Sequence, residues 1–147
     1  MSIFNFHSNV ENMKTQSAAS LRADLSPQGR KLLKLLLKVL ASPQFRLGDP
    51  STYIGYQDCC DQLGLITPDM DVPWGRLLQQ NGLNDLNNWT MRHRLPAVSG
   101  LIVNISGDHA WYPGGDYFKS HRRPDPDFDW WKDEVAKAVK FKWNPYL

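Results

Sequence analysis

HRLPAVSGLIVNISGDHAWYPGGDYF, from His93 to Phe118, sets the expectation for the whole fold. Pro96 has no backbone N–H and its ring clashes with a preceding turn, so a helix arriving from Leu83–Met91 ends before it. Leu101-Ile102-Val103 is a short apolar run of strand type, and Ser106-Gly107-Asp108 supplies turn residues after it. Pro113-Gly114-Gly115 turns the chain again ahead of Tyr117-Phe118. The pattern predicts a β-hairpin within a two- or three-stranded antiparallel sheet from Val98 to Phe118, with one long loop tipped by Trp111 and Tyr112.

Helical patterns flank this stretch on both sides. Ser26 can cap a helix, Pro27 suits its first turn, and QGRKLLKLLLKVLA follows, with Lys31, Lys34 and Lys38 on one stripe and leucines around the rest. Tyr56 to Leu63 reads as two helical turns stopped by Gly64. Pro73 opens another short helix, with Trp74, Leu77 and Leu78 as its inner face and Asn81-Gly82 as its stop, and Leu83–Met91 continues with Leu86, Trp89 and Thr90 or Met91 inward. Past the hairpin, a helix starts at Asp127 or Phe128, and Phe128, Trp131, Val135, Ala138 and Val139 form its apolar stripe. Trp143 and Tyr146 close the core. Residues 1–24 read as a polar arm with a short helix, in which Val10, Met13, Ser17 and Leu21 hold helical spacing. Residues 25–147 read as a single, mostly helical α+β domain. Two short helices joined by a turn and followed by a hairpin give it the plan of a winged helix.

A chain of 147 residues with 41% hydrophobic content is long enough for one real core and too short for two large ones. The net charge of +2 is too small for a protein held to nucleic acid by bulk charge alone, but the charge is segregated. Residues 1–48 carry a net +5, 49–90 a net −5, 91–124 a net +3 and 125–147 a net −1. The start lacks the basic and apolar regions of a secretory signal, so a cytoplasmic protein without a membrane partner is expected. Cys59 and Cys60 are adjacent, a poor geometry for a bridge, and read as reduced thiols on the inner side of a helix.

No motif for catalysis stands out. His7, His93, His109 and His121 are scattered, no Cys-x-x-Cys pair exists, and Ser99 has no base or oxyanion hole assigned to it by the pattern. The expectation is a non-enzymatic protein with no catalytic residues, metal or cofactor. Two basic clusters remain, Arg92-His93-Arg94 and His121-Arg122-Arg123, one at each end of the expected hairpin. With Trp111, Tyr112 and Tyr117 between them, they suit phosphate contact combined with base stacking. Against this, the acidic segment 49–90 contains the expected recognition helix, whose only cation is Arg76. The competing class is a protein-binding regulator or inhibitor that uses the Trp111-Tyr112 loop as its anchor.

From Tyr56 to Tyr117 the sequence resembles the DNA-binding domain of the alkylguanine-DNA alkyltransferases and alkyltransferase-like proteins. Tyr56-Gln57-Asp58-Cys59-Cys60 with Gly64 follows the family's first helix, and Gly75-Arg76-Leu77-Leu78 its recognition helix. Leu95-Pro96-Ala97-Val98-Ser99 stands at its Pro-Cys-His-Arg strand, and Gly114-Gly115-Asp116-Tyr117 at its Gly-Gly-Tyr turn. The resemblance implies a winged-helix shape, DNA or RNA as partner, and roles for Tyr56 and Arg76 at the phosphate and at the gap left by an extrahelical base. Ala97 replaces the alkyl-accepting cysteine and Val98-Ser99 the His-Arg pair, so alkyl transfer is not implied. The residues expected to touch nucleic acid are therefore Tyr56, Arg76, Arg92, Arg94, Trp111, Tyr112, Arg122 and Arg123.

Overall fold

Ser26 accepts a hydrogen bond from the Gly29 N–H at 3.0 Å, and Pro27 fills the next position, where a missing N–H costs nothing. These residues start helix α2, Pro27–Ala41, in a computed structural model of the chain that describes residues 18–66 and 72–147. A short helix α1 spans 18–23 and carries Leu21; Val10, Met13, Ser17 and His7 lie outside the described residues. The leucine arc of α2 is buried at Leu32, Leu33, Leu35 and Leu36, while Lys31, Lys34 and Lys38 face solvent. A helix with this division is stabilised mainly by its apolar face, at roughly 1.5–3 kcal/mol for each fully buried leucine.

After α2 come strand β1 (Ile54–Gly55), helix α3 (Tyr56–Gln62), helix α4 (Trp74–Leu78) and helix α5 (Asn84–Arg92). Gly64, at φ +69°, closes α3 through paired bonds from Leu65 N to Cys60 O (2.9 Å) and Gly64 N to Asp61 O (3.1 Å). Between α4 and α5, Asn81 and Gly82 leave helical geometry, as the sequence stop signal implied. Gly82 has φ +127°, and a Cβ there would stand 2.8 Å from the Gln28 carbonyl, so this kink packs backbone to backbone on the start of α2. Trp89 of α5 is fully buried and its indole donates to Leu21 O at 2.7 Å, tying α1 to the core. Helix α6 (Gly115–Ser120) and helix α7 (Phe128–Lys140) complete the set, and Asp127 caps α7 by accepting from Trp130 N at 3.2 Å.

The mostly helical α+β character stands; the antiparallel sheet does not. Val98–Leu101 winds into a 3₁₀ turn, and strand β2 (Ile102–Val103) pairs in parallel with β1, in register Ile54↔Ile102 and Gly55↔Val103. Tyr117 and Phe118, expected in a returning strand, lie in α6, for which Gly114 is the N-cap. Two physical causes explain the correction. Ile102 and Val103 are buried on both faces, as strands of parallel sheets are, and a run of three apolar residues carries no information about which partner it will take. The turn at 106–108 reverses the chain without a ladder, because Asn104 closes it locally: its N–H donates to Tyr112 O (3.1 Å) and its carbonyl accepts from Trp111 N (2.6 Å).

The stripe of α7 also differs from expectation: Trp131, Glu134, Val135 and Ala138 are buried, whereas Phe128 and Val139 are each 43% exposed. Trp131 donates to Gly100 O at 2.8 Å and Trp143 to Ala138 O at 2.9 Å, so each buried indole finds an acceptor. Cys59 and Cys60 are free and buried on the inner side of α3, and burial pushes both thiols well above their ordinary range. Among the described residues no helix is long and apolar enough to cross a membrane.

Candidate nucleic-acid interface

Helices α5 and α6 end in the same way. In α5, Leu95 N donates to Thr90 O (2.9 Å) and Arg94 N to Met91 O (3.4 Å); in α6, Arg123 N donates to Phe118 O (2.9 Å) and Arg122 N to Lys119 O (3.0 Å). Each pair is a Schellman closure, whose turning residue must be left-handed. Glycine normally takes that place, as Gly64 does in α3. Here it is Arg94 at φ 54° and Arg122 at φ 58°, each preceded by a histidine.

The two ends meet. Thr90 Oγ1 lies 3.0 Å from His121 Nε2, and His121 Nδ1 lies 2.7 Å from Tyr117 O. A carbonyl only accepts, so Nδ1 carries a proton in that bond. Burial pushes the pKa of His121 down, opposed by this backbone bond and by Glu134. The pairing brings the clusters containing Arg92 and Arg94 and Arg122 and Arg123 into one neighbourhood, though a shared helix junction, not a hairpin, gathers them. All four arginines are exposed. Arg92 Nη2 pairs with Asp24 at 2.6 Å, and His93 Nε2 stands 2.7 Å from the same oxygen. The His93 contact, joined by Arg92, holds the Asp24 carboxyl below its ordinary range. Arg123 forks onto Asp127, lowering that carboxyl too, and lies 5.8 Å above the Trp130 ring. Arg94 and Arg122 make no ion pair among the described residues.

Trp111 is 46% exposed and left-handed, at φ 70°. Its neighbour Tyr112 turns inward instead, edge-on to Phe128 at 5.1 Å and bonded to His109, so the loop tip presents one indole and anchors itself with the phenol. Tyr117 is buried, its hydroxyl donating to Ala97 O at 3.0 Å, and is not available for stacking.

Tyr56 and Arg76 lie at the opposite end of α6. The Tyr56 hydroxyl accepts from Gly114 N at 2.8 Å, and burial pushes its pKa up to about 12. Tyr56, Trp74, Gly75, Asn104 and Gly114 line a cleft of about 620 Å³ beyond the carboxyl ends of β1 and β2. Arg76 is exposed on α4 beside it. The six residues of α6, about 9 Å of helix, separate this cleft from the arginine junction.

No protein-family model, curated protein or solved structure matches this chain. Among the described residues no cluster of three or more histidine, cysteine, aspartate or glutamate side chains could hold a metal ion. Sequence reasoning singled out the arginines and His121 and turned Thr90 inward, but missed the contact between Thr90 and His121 and the roles of Asp24 and Trp130 beside the arginines. The repeated His-Arg pair behind an apolar helix was the available signal for a doubled cap; Asp24, far upstream, gave none.

Proposed function

We propose that the protein is a non-enzymatic nucleic-acid-binding protein that holds phosphates with Arg92, Arg94, Arg122 and Arg123 and stacks a base on Trp111. One observation carries this reading: among the described residues, the non-glycine residues with left-handed backbone are Arg94, Trp111 and Arg122. Left-handed backbone costs an L-residue about 1–2 kcal/mol, whereas a cation at a helix C-terminus returns only about 0.3–1 kcal/mol. Cap electrostatics alone therefore does not offset the conformation. Strain of this kind concentrates where side chains must be presented to a partner, and these three are exposed cations and an exposed aromatic, the residue types that contact phosphate and base.

A winged-helix-like arrangement fits the same reading, with α3 and α4 as the helix pair, the 104–114 loop in place of a wing, and Tyr56 and Arg76 beside the cleft. Cys59, Cys60 and Ser99 are buried, which withholds these three side chains as nucleophiles and supports the non-enzymatic reading at those positions alone. The protein-partner reading is favoured by one feature, the exposure of Trp111 at the tip of a loop whose Tyr112 packs edge-on against half-exposed Phe128.

The test is a titration of a labelled dT20 oligonucleotide and a 20-base-pair duplex at two salt concentrations, wild type against an Arg92/Arg94/Arg122/Arg123 alanine variant. Removing one arginine–phosphate pairing should flatten the logarithmic salt slope by about 0.7 for the single strand and 0.9 for the duplex. Wild-type affinity weaker than about 10⁻⁴ M at low salt for both probes would refute the nucleic-acid reading and leave the protein-partner one.

A further inference from the structure

We propose that Thr90 and His121 form a proton-operated switch beneath the arginine junction, so that acidification tightens the grip on phosphate; this rests on the nucleic-acid reading above. Thr90 Oγ1 has two neighbours for its single proton, His121 Nε2 at 3.0 Å and the Asn87 carbonyl at 3.1 Å. With His121 neutral, Nδ1–H donates to Tyr117 O and the Thr90 hydroxyl donates to Nε2. With His121 protonated, Nε2–H donates to Thr90 Oγ1, whose own proton turns to the Asn87 carbonyl. Both states are satisfied, and a hydroxyl rotation converts one to the other without moving a heavy atom. A half-buried histidine held for structure alone needs partners for one state only.

The surroundings set the sign. From α7, Glu134 favours the imidazolium; it is itself paired with Lys137 at 2.9 Å and accepts from Ala97 N at 3.3 Å. The rings of Tyr117 and Trp130, with centroids 5.1 and 5.4 Å from the imidazole, tolerate a cation. Arg92 and Arg94 close the helix that carries Thr90, and Arg122 and Arg123 follow His121, so phosphate held by them brings negative charge toward the imidazole and favours its cation. Binding and protonation therefore reinforce one another by the same factor in each direction.

Two measurements on the full chain test this. Nitrogen-15 NMR of the histidine rings reads the tautomer and titration of His121 without any ligand, and fluorescence anisotropy with dT20 at pH 7.5 and 5.5, at constant ionic strength, reads the consequence. The expected results are the Nδ1–H tautomer at high pH, protonation at both nitrogens at low pH while the near-ultraviolet spectrum persists, and dT20 affinity about fivefold higher at pH 5.5. His121→Gln should lose most of that gain. Thr90→Ser should retain the response and Thr90→Val should move it to lower pH. An Nε2–H tautomer, protonation that coincides with unfolding, or an equal gain in His121→Gln would overturn the switch. A normal salt slope with affinity indifferent to pH overturns the switch alone; no dT20 binding at either pH overturns both it and the reading on which it rests.

Discussion

Replacing Arg94 and Arg122 by glycine should make the protein more stable and a worse binder. Both residues occupy the left-handed position of a Schellman closure, at φ 54° and 58°. Glycine relieves about 1–2 kcal/mol of local strain at each site, offset by its greater freedom in the unfolded chain, about 0.5–1 kcal/mol. The net gain is about 0.5–1 kcal/mol per site. The exposed arginine side chains make no ion pair among the described residues, and their cap electrostatics, about 0.3–1 kcal/mol each at low salt, are screened at high salt, where the stabilities are compared. Because Thr90 and His121 join the two helix ends, the pair need not be strictly additive. Taking 1–2 kcal/mol for the double variant, a domain of this length should gain roughly 2–8 °C in Tm. The same substitutions should flatten the dT20 salt slope by about 1.4. Calorimetry and anisotropy at several salt concentrations measure both quantities on one sample. A lower Tm would refute the account of the caps. A higher Tm with unchanged dT20 binding would show that the strain serves something other than nucleic-acid contact.

Gly100→Ala should be strongly destabilising, because a Cβ there would lie 2.6 Å from the Tyr117 hydroxyl and 2.8 Å from Trp131 Cδ1, both held by their own hydrogen bonds; denaturant unfolding should show a loss of about 1–3 kcal/mol. Tyr56→Phe should cost about 1–2 kcal/mol at neutral pH by leaving Gly114 N–H without its acceptor, and calorimetry reads the change. The same phenol gives an alkaline signature: burial raises its pKa from 10.0 to about 12 in the folded state, so its contribution is present below pH 10 and lost as pH rises toward 12, a loss that Tyr56→Phe should reduce. Cys59 and Cys60 should resist a thiol reagent in the native protein and react only as fast as the chain opens; prompt modification of a folded sample would contradict their burial.

Apart from α6, whose residues read as a strand, the helices and their ends were legible in the sequence alone. Ser26-Pro27, Gly64, Asn81-Gly82 and Asp127 act through bonds to residues a few positions away, so their effect is written locally and needs no knowledge of the fold. Arg92, Arg94, Arg122, Arg123 and Trp111 stood out in the same way, because charge and aromaticity on loop ends are visible as residue types. The rest came from long-range packing. Whether Ile102-Val103 took an antiparallel neighbour a few residues on or the distant Ile54-Gly55 depended on which faces were buried, a quantity no short apolar run encodes. The left-handed turns at Arg94 and Arg122 are likewise invisible in a sequence, since arginine carries no preference for them. Only the packing of α5 against α6, through Thr90 and His121, brought the two helix ends with this conformation together around a titratable ring.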